Sequence, residues 1–217
     1  MRGSSAKSLY KFILKGFIGR KNTKEFYNRV AGIYESAMSS QQKHATEIID
    51  RLPRGDICLD LGCGTGLSTL ELMTKADFTV GIDFSRSMLN EAKKKGLERL
   101  INGNILELPF RSNTIDCTTA IGVVRHLPYG SEQTFFNEIY RVLKKNGVFM
   151  TPAVKYTFCN RLVLGLYDKF MKLLGYDEQL ARFSVENFKI LGENAGFAVQ
   201  AYPFRGLRDG FLVYFIK

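Results

Sequence analysis

The fold of this 217-residue chain is decided by one stretch, Ile57-Cys58-Leu59-Asp60-Leu61-Gly62-Cys63-Gly64-Thr65-Gly66. A short apolar run there passes directly into glycines at every second position, and a helix-forming segment follows. Glycines let the backbone adopt positive φ and approach a ligand closely, and the start of a helix offers N–H groups without helical partners. Asp83 ends the next apolar run, where an acid can accept both hydroxyls of a ribose. This order of elements predicts a nucleoside-binding unit.

The spacing of the glycines argues against a dinucleotide site. The dinucleotide fingerprint is G-x-G-x-x-G, whereas glycines stand here at 62, 64 and 66 and Leu67 follows. Asp60 precedes the loop. Its charge would repel a pyrophosphate but would suit the ammonium or sulfonium group of a zwitterionic ligand. The Gly-Lys-Ser/Thr sequence of a phosphate-binding loop is absent.

Strand-like and helix-like stretches alternate from Asp56 onward. The alternation predicts an α/β fold with a doubly wound, mostly parallel sheet and helices on both faces. The last two strands are separated by a Gly-containing turn, so we expect them to form an antiparallel hairpin. The seven predicted strands cover residues 57–61, 78–82, 100–102, 115–121, 147–151, 197–202 and 211–216.

Five sequence blocks follow one another between about residues 26 and 197. They are D-L-G-C-G-T-G at 60–66, V-G-I-D-F-S at 80–85 with Met88-Leu89, N-G-N-I-L-E-L-P-F at 102–110, I-D at 115–116 with the run to His126-Leu127, and R-V-L-K-K-N-G-V at 141–148. In this order the blocks resemble the class I S-adenosylmethionine-dependent methyltransferases, and most of all the quinone-type C-methyltransferases and neighbouring lipid and small-molecule enzymes. The resemblance implies a Rossmann-like, seven-stranded sheet, a methyltransferase activity and S-adenosyl-L-methionine as cofactor.

The resemblance also implies which residues hold the cofactor. Asn104 stands where the family usually has Asp beside the adenine, and its side-chain oxygen could still accept a hydrogen bond from the adenine amino group. Tyr34 resembles the tyrosine of the family's lid block, A-x-x-Y-D, with packing within a helix as the alternative. The cofactor-binding set is Tyr34, Asp60, Gly62, Cys63, Gly64, Gly66, Asp83, Phe84, Met88, Asn104, Ile105 and Ala120.

The acceptor side is expected beyond the fourth strand. His126 is the candidate catalytic base there, and a hydrogen-bonded structural histidine is the alternative. Arg125 replaces the first His of the family's H-H-L block, and we place Arg125 and Tyr156 on the substrate side. Residues 153–182 form an insertion rich in Tyr, Phe, Leu and basic residues. Such a cap suits a hydrophobic acceptor, for example a quinone precursor or a phospholipid head group.

The N-terminal residues are strongly basic. The chain has a net charge of +10, and residues 1–24 contain seven basic residues and no acid. On a helix, Lys7, Lys11 and Lys15 form one stripe opposite an apolar arc that includes Phe12 and Phe17. This pattern predicts an amphipathic arm, residues 1–24, that binds an anionic membrane surface, ahead of a single methyltransferase domain at 25–217. A solubilising arm, a helix packed on its own domain and an RNA contact are the alternatives.

Several other function classes are disfavoured. No stretch approaches the roughly 18 apolar residues of a membrane-spanning helix, and no secretory signal is recognised. We therefore expect a cytoplasmic protein, with peripheral association at the inner membrane face as an extension. Four cysteines without a C-x-x-C pair and two histidines predict no metal site and reduced thiols. The absence of D/N/S-P-P-Y/F and Pro-Cys motifs argues against nucleic acid as the acceptor.

The predicted function is transfer of a methyl group from S-adenosyl-L-methionine to a hydrophobic or lipid-like small molecule at a membrane surface. A soluble small-molecule or RNA methyltransferase, and a module that binds the cofactor without catalysis, are the alternatives.

Overall fold

The architecture is one seven-stranded sheet flanked by helices. The computed structural model describes residues 23–37, 45–154, 184–204 and 210–217. The strand order is β3-β2-β1-β4-β5-β7-β6. Strands β1 to β5 are parallel, and β7 is antiparallel to both β5 and β6. The strands are β1 Gly55–Leu61, β2 Ala76–Asp83, β3 Leu100–Asn102, β4 Ile115–Thr119, β5 Leu143–Val154, β6 Ala198–Phe204 and β7 Gly210–Ile216. The predicted mostly parallel α/β sheet with an antiparallel C-terminal pair is confirmed.

Local capping residues mark some of the helix ends. Ser85 and Ser184 cap two of them, since each hydroxyl accepts the backbone N–H three residues on. Gly196 ends the last helix with φ of 103°. The helices are α1 Thr23–Val30, α2 Tyr34–Ala37, α3 Leu67–Leu72, α4 Arg86–Lys93, α5 Glu132–Val142 and α6 Val185–Ala195; residues 31–33 form a 3-10 turn and 45–49 are helical. The strand boundaries differ from the predicted ones by up to four residues, and the largest difference is at β5, which begins at Leu143 instead of residue 147.

Apolar residues cover both faces of the sheet. Neighbouring residues of β1 illustrate this, since Cys58 belongs to one buried cluster and Leu59 to the other. The larger cluster holds five fully buried phenylalanines that connect the sheet to α5 and α6: Phe135, Phe136, Phe149, Phe188 and Phe215. Side chains alternate across a strand, so two covered faces explain the near-continuous apolar runs of the parallel strands.

The prediction of reduced cysteines is wrong for one pair. Cys58 and Cys117 form a disulfide, with 4.7 Å between their Cα atoms. The two residues are direct partners in the register of β1 and β4. A separation of 59 residues carries no sequence signal for such a bond, so only strand pairing reveals it. Cys63 is buried and has a free thiol.

Two predicted segments lie largely outside the described residues. The arm is covered only at Thr23 and Lys24, which begin α1, and the cap at 153–182 only at its first two residues, within β5. Tyr156 therefore lies outside the described part. In the ranges that the structure does describe, no helix has the length and apolar character needed to cross a membrane.

Candidate cofactor and active site

A cavity of about 400 Å³ lies where the parallel strands end. Ligands of open α/β sheets bind at this carboxyl edge, and the volume is in the range of small-molecule sites. Nine predicted site residues line it together: Tyr34, Gly62, Gly64, Asp83, Phe84, Met88, Asn104, Ile105 and His126. The lining residues that sequence reasoning missed are Thr23, Lys24, Tyr27, Gly103, Leu106, Ile121, Gly122, Val123, Leu127 and Pro128.

The glycine loop after β1 forms a cradle. Gly62 and Gly64 have φ of 67° and 54°, which side chains other than hydrogen disfavour. A Cβ atom at Gly62 would overlap Val123, whereas one at Gly64 would meet no atom within 4 Å. Gly64 therefore borders the open cavity. Gly122 on the opposite loop also has positive φ, 75°, and open space at its Cβ position, so backbone alone can approach a ligand from two sides.

Asp83 connects the loop after β1 with the loop after β2 at the cavity wall. Its Oδ2 accepts the backbone N–H of Gly64 at 2.9 Å, and its Oδ1 accepts that of Ser85 at 2.8 Å. Burial raises the pKa of the Asp83 carboxyl, while the backbone hydrogen bonds act in the opposite direction. Each carboxylate oxygen has more than one acceptor site. Asp83 thus retains acceptors for a diol such as that of a ribose.

Asp60 lies behind the cavity wall. Its Oδ2 accepts hydrogen bonds from Ser68 Oγ and Thr69 Oγ1, both at 2.7 Å, and its Oδ1 accepts from Thr119 Oγ1 at 3.2 Å. Desolvation by burial raises the pKa of Asp60 to about 6, against the pull of these hydroxyls. The carboxyl therefore fixes the start of α3 to β4. It does not reach the cavity surface, so the structure does not support its predicted contact with a positively charged group of the ligand.

Three more predicted residues support the wall from behind. Gly66 has φ of 83° and starts α3. Cys63 packs against Gly81, and burial raises the pKa of its thiol well above the ordinary value, so it is not a reactive thiolate. The carbonyl of Ala120 accepts a hydrogen bond from Thr151 Oγ1 at 2.7 Å. These residues shape the loops and do not line the cavity.

His126 is held by two neighbours at the cavity. Tyr27 Oη is 2.7 Å from His126 Nε2, and Arg125 Nε donates to the same nitrogen at 3.0 Å. A guanidinium N–H can only donate, so Nε2 is an acceptor and carries no proton in this arrangement. Tyr27 then donates its phenolic proton to Nε2. The sequence-derived choice of His126 as a site residue is consistent with this geometry, and Arg125 lies beside it without lining the cavity.

Tyr27 and Tyr34 cover the cavity together. The ring centroid of Tyr27 is 6.1 Å from that of Tyr34, 6.2 Å from that of Phe84 and 5.2 Å from that of His126. Burial raises the pKa of Tyr34, with Arg125 lowering it and Asp83 raising it. Tyr27 lies in α1 and Tyr34 begins α2, with the 3-10 turn at residues 31–33 between them. Their proximity therefore depends on how the two helices meet, and no helical spacing in the sequence identifies Tyr27.

The segment that carries these tyrosines is anchored onto the cofactor side. Asn28 Oδ1 accepts hydrogen bonds from Ser85 Oγ at 2.7 Å and from the backbone N–H of Ser87 at 3.4 Å. Lys95 forms an ion pair with Glu35 and donates to the carbonyl of Thr65 at 2.7 Å. A separate small apolar cluster completes the contact: Phe26, Val30, Ala31 and Met88. Helices α1 and α2 therefore form one side of the cavity.

The residues that line the cavity suit an organic ligand. Backbone surfaces at two positive-φ glycines, the buried Asp83 and the aromatic rings of Tyr27 and Tyr34 can cradle a nucleoside with a zwitterionic tail, as S-adenosyl-L-methionine has. Among the described residues, no three His, Cys, Asp or Glu side chains cluster closely enough to hold a metal ion.

Comparisons with known proteins agree with this geometry. Residues 59–151 match the family described as "Methyltransferase domain". A demethylmenaquinone methyltransferase from Bacillus licheniformis is 33% identical over 204 residues, covering 83% of this chain and 87% of that protein. Another from Oceanobacillus iheyensis is 31% identical over 153 residues, covering 60% of this chain and 63% of that protein, less than two thirds of its length.

A solved structure shares the fold. It is a SAM-dependent methyltransferase from Thermotoga maritima, described as a possible histamine N-methyltransferase. The TM-score is 0.68 at 21% identity, and the match covers 88% of this chain and 98% of that one.

Proposed function

Since this chain belongs to the class I S-adenosylmethionine-dependent methyltransferases, we propose that it methylates a hydrophobic or lipid-like small molecule, of the quinone-precursor kind, at a membrane surface. The family match and the relative from Bacillus licheniformis confirm the family and the cofactor that were predicted from the five blocks. One observation carries the proposal about the acceptor: apolar residues of the loop after β4 and the Tyr27–His126 pair line the same cavity as the glycine loop and Asp83.

The residues after β1, β2 and β3 would hold the cofactor. Asp83 would accept hydrogen bonds from the ribose, the backbone at Gly62 and Gly64 would pass beside the amino-acid part, and residues 103–106 would border the base. S-adenosyl-L-methionine supplies, when bound, a methyl group on positively charged sulfur, which a nucleophile can take by direct displacement. The protein therefore needs chiefly to orient the acceptor and to exclude water.

The loop after β4 supports an apolar acceptor. Ile121, Val123, Leu127 and Pro128 line the cavity on this side. Burying apolar surface contributes about 25 cal/mol per Å², so a ring system or an isoprenoid-like tail gains affinity there. The names of the two relatives above point to the same chemical class, since demethylmenaquinone is a lipid-soluble quinone.

The Tyr27–His126 pair would meet the acceptor's ionisable group. A phenol or enol becomes a stronger nucleophile as its proton leaves, and an unprotonated imidazole nitrogen is the state that a general base requires. Nε2 of His126 is in that state. The guanidinium of Arg125 next to it would favour an anionic acceptor and disfavour a cationic one. We propose that the acceptor hydroxyl donates to Tyr27 Oη, and that its proton moves to this phenol as Tyr27 passes its own proton to His126 Nε2.

The basic arm is the basis for the membrane part of the proposal. Each basic residue near an anionic leaflet contributes about 1 kcal/mol, and seven are present in residues 1–24. Since each 1.4 kcal/mol changes affinity tenfold, even half of that total gives measurable, salt-sensitive binding. The membrane would also be the source of a hydrophobic acceptor.

A transfer assay with radiolabelled methyl donor tests the acceptor class. Separate reactions would contain the quinol form of a naphthoquinone that lacks the ring methyl group, phosphatidylethanolamine vesicles, histamine or RNA. We expect label in the quinol alone. In the same assay, His126→Ala should lower turnover by roughly 10²–10⁴ while cofactor affinity is unchanged. Label in histamine or lipid amine instead would refute the proposed acceptor, and loss of folding in the variant would favour a structural histidine.

Deletion of residues 1–21 tests the membrane association. The truncated protein keeps every residue of the cavity lining, so its affinity for the cofactor should equal that of the full chain. We expect the full chain to co-sediment with vesicles containing phosphatidylglycerol at low salt and the truncated chain to stay in solution. Equal sedimentation of the two proteins would refute the membrane role of the arm.

A further inference from the structure

Asn28 connects the helix that carries Tyr27 to the start of α4. Its Oδ1 accepts hydrogen bonds from Ser85 Oγ at 2.7 Å and, over a longer distance, from the backbone N–H of Ser87 at 3.4 Å. The N–H of Ser87 can only donate, so the amide atom that faces it is the oxygen of Asn28. Asn28 therefore acts in this contact as an acceptor alone.

The partner of Asn28 is itself firmly held. Ser85 is fully buried, and its backbone N–H donates to Asp83 Oδ1 at 2.8 Å. Its hydroxyl caps α4 by accepting the N–H of Met88 at 3.2 Å, and its own proton goes to Asn28. The bonds to Asp83 and Met88 do not involve α1. Asn28 thus fastens α1 to a point that the cofactor side of the cavity already fixes.

Asn28 and Tyr27 hold α1 at two different elements. Tyr27 Oη lies 2.7 Å from His126 Nε2, in the loop after β4, whereas Asn28 meets the start of α4. A helix of eight residues has little stability of its own, and the buried residues of α1 are Phe26 and Val30. Apolar packing is non-directional, but a hydrogen bond sets both distance and direction. The contact of Asn28 therefore defines where α1 places Tyr27.

The following helix has a separate attachment. Glu35 of α2 forms an ion pair with Lys95, which lies just after α4. Tyr34 directly precedes Glu35 in the same helix. Loss of the Asn28 contact should therefore displace Tyr27 while Tyr34 keeps its place at the cavity. The role of Asn28 can thus be separated from cofactor binding.

We propose that Asn28 is a positioning residue for methyl transfer, which holds the Tyr27 phenol at His126 Nε2 by fixing α1 on Ser85. The inference rests on the proposed function. In that reaction the acceptor hydroxyl loses its proton to Tyr27 Oη, Tyr27 loses its own proton to Nε2, and His126 becomes an imidazolium. Such a transfer needs heavy atoms within hydrogen-bond reach. Asn28 does not line the cavity, so its effect passes through Tyr27.

Two substitutions of Asn28 separate its hydrogen bonding from its size. Asn28→Leu has nearly the same shape but cannot accept a hydrogen bond. Asn28→Asp keeps an acceptor for Ser85 and for the N–H of Ser87, at a helix start where negative charge is favourable. Asn137→Leu is the matched control. Asn137 is exposed on α5, its Oδ1 accepts from Gln133 Nε2 at 2.9 Å, and it does not line the cavity.

Histidine NMR reports the Tyr27 contact without any acceptor or cofactor. The chain has two histidines, so ¹⁵N-labelled histidine gives two sets of ring signals, and His126→Ala assigns them. Tyr27→Phe removes the phenol and defines the Nε2 signal of His126 without it. Asn28→Leu should move this signal most of the way to that position. Asn28→Asp and Asn137→Leu should leave it in place.

Turnover of the naphthoquinol from the transfer assay gives the functional readout. Asn28→Leu should lower kcat by about 10- to 100-fold, as expected for a misplaced reacting group, with unchanged affinity for S-adenosylhomocysteine. Asn28→Asp should retain most of the activity. In the Tyr27→Phe background, Asn28→Leu should have no further effect, because substitutions that remove the same contact are not additive.

An unmoved His126 signal in folded Asn28→Leu protein would overturn the inference, and so would a full further loss of turnover in the Tyr27→Phe background. If Asn28→Leu does not fold, Asn28→Gln takes its place with the same expected results, since its amide oxygen lies one CH₂ further from the backbone. If the unmodified protein does not methylate the quinol, the proposed acceptor is wrong, and the His126 signal still decides the role of Asn28.

Discussion

Replacing Gly64 by Ala separates the cofactor-cradling role of the glycine loop from its backbone conformation. Gly64 has φ of 54° and no atom within 4 Å of its Cβ position, so the methyl group would project into open space beside the cavity. Its N–H would still reach Asp83 Oδ2. The folded chain therefore suffers only the cost of a left-handed alanine, about 1–2 kcal/mol. For a chain of this length that lowers the Tm by about 2–8 °C.

Cofactor binding should fall much further than stability. A bound ligand in contact with the loop must retreat from the added methyl group, and inserting a methyl into a packed site typically costs about 1–3 kcal/mol. The affinity for S-adenosyl-L-methionine should therefore drop about 5- to 150-fold. Calorimetric titration gives this affinity, and thermal unfolding of the same samples gives the stability.

Gly96→Ala is the matched control. Gly96 follows α4, has φ of 84° and likewise has no atom within 4 Å of its Cβ position, but it does not line the cavity. The two variants should lose similar stability, and only Gly64→Ala should lose affinity. Equal affinities in the two variants would show that the loop after β1 does not contact the cofactor.

Three further predictions concern Asp83, Asp60 and the cysteines. Asp83→Ala should weaken S-adenosyl-L-methionine binding by about 1.5–3 kcal/mol, because charged acceptors for two ribose hydroxyls are lost; unchanged affinity in calorimetry would remove Asp83 from the ribose site. Burial raises the pKa of Asp60 from 3.8 to about 6, so the folded protein binds the extra proton between about pH 4 and 6. The contribution of Asp60 to stability is then highest at low pH and falls as pH rises through that window, by up to about 3 kcal/mol. Urea unfolding of Asp60→Asn should show a smaller slope, because only other buried carboxyls such as Asp83 then contribute; an identical slope in both proteins would exclude Asp60 as a source. A peptide map without reductant should contain Cys58 linked to Cys117, while Cys63 should react with alkylating reagents only after unfolding; separate Cys58 and Cys117 peptides would contradict the assigned bond.

The fold could be predicted from short, local sequence patterns. The apolar run before Gly62, the glycines at alternate positions and Asp83 at the end of the next run are contiguous features, and each acts through the backbone. Serine caps and terminal glycines set helix boundaries by hydrogen bonds that span three or four residues. The sheet, the location of the cavity and most of its cofactor-side lining could therefore be predicted from the order of these signals.

The direction of each side chain required the tertiary structure. Asp60 lies near the end of β1 and Cys63 in the glycine loop, yet both side chains point behind the cavity wall. Asp60 accepts hydrogen bonds from residues of α3 and β4, and Cys63 packs against Gly81. The side-chain oxygen of Asn104, which was expected to face the base, also accepts the N–H of Leu106 in the structure. A motif names the residues of a loop without giving the rotation of each side chain about its own bonds.

The sequence by itself determined the α/β class, the succession of strands and helices along the chain, and the kind of ligand. It could do so because strand periodicity, turn chemistry and glycine spacing are local properties of the chain. Only the tertiary structure joined Tyr27 to His126 across 99 residues and Cys58 to Cys117 across 59. Such pairs form where distant elements meet at one edge or one register of the sheet. Local sequence patterns contain no information about the distance between residues so far apart in the chain. Both pairs could therefore be recognised only in the folded structure.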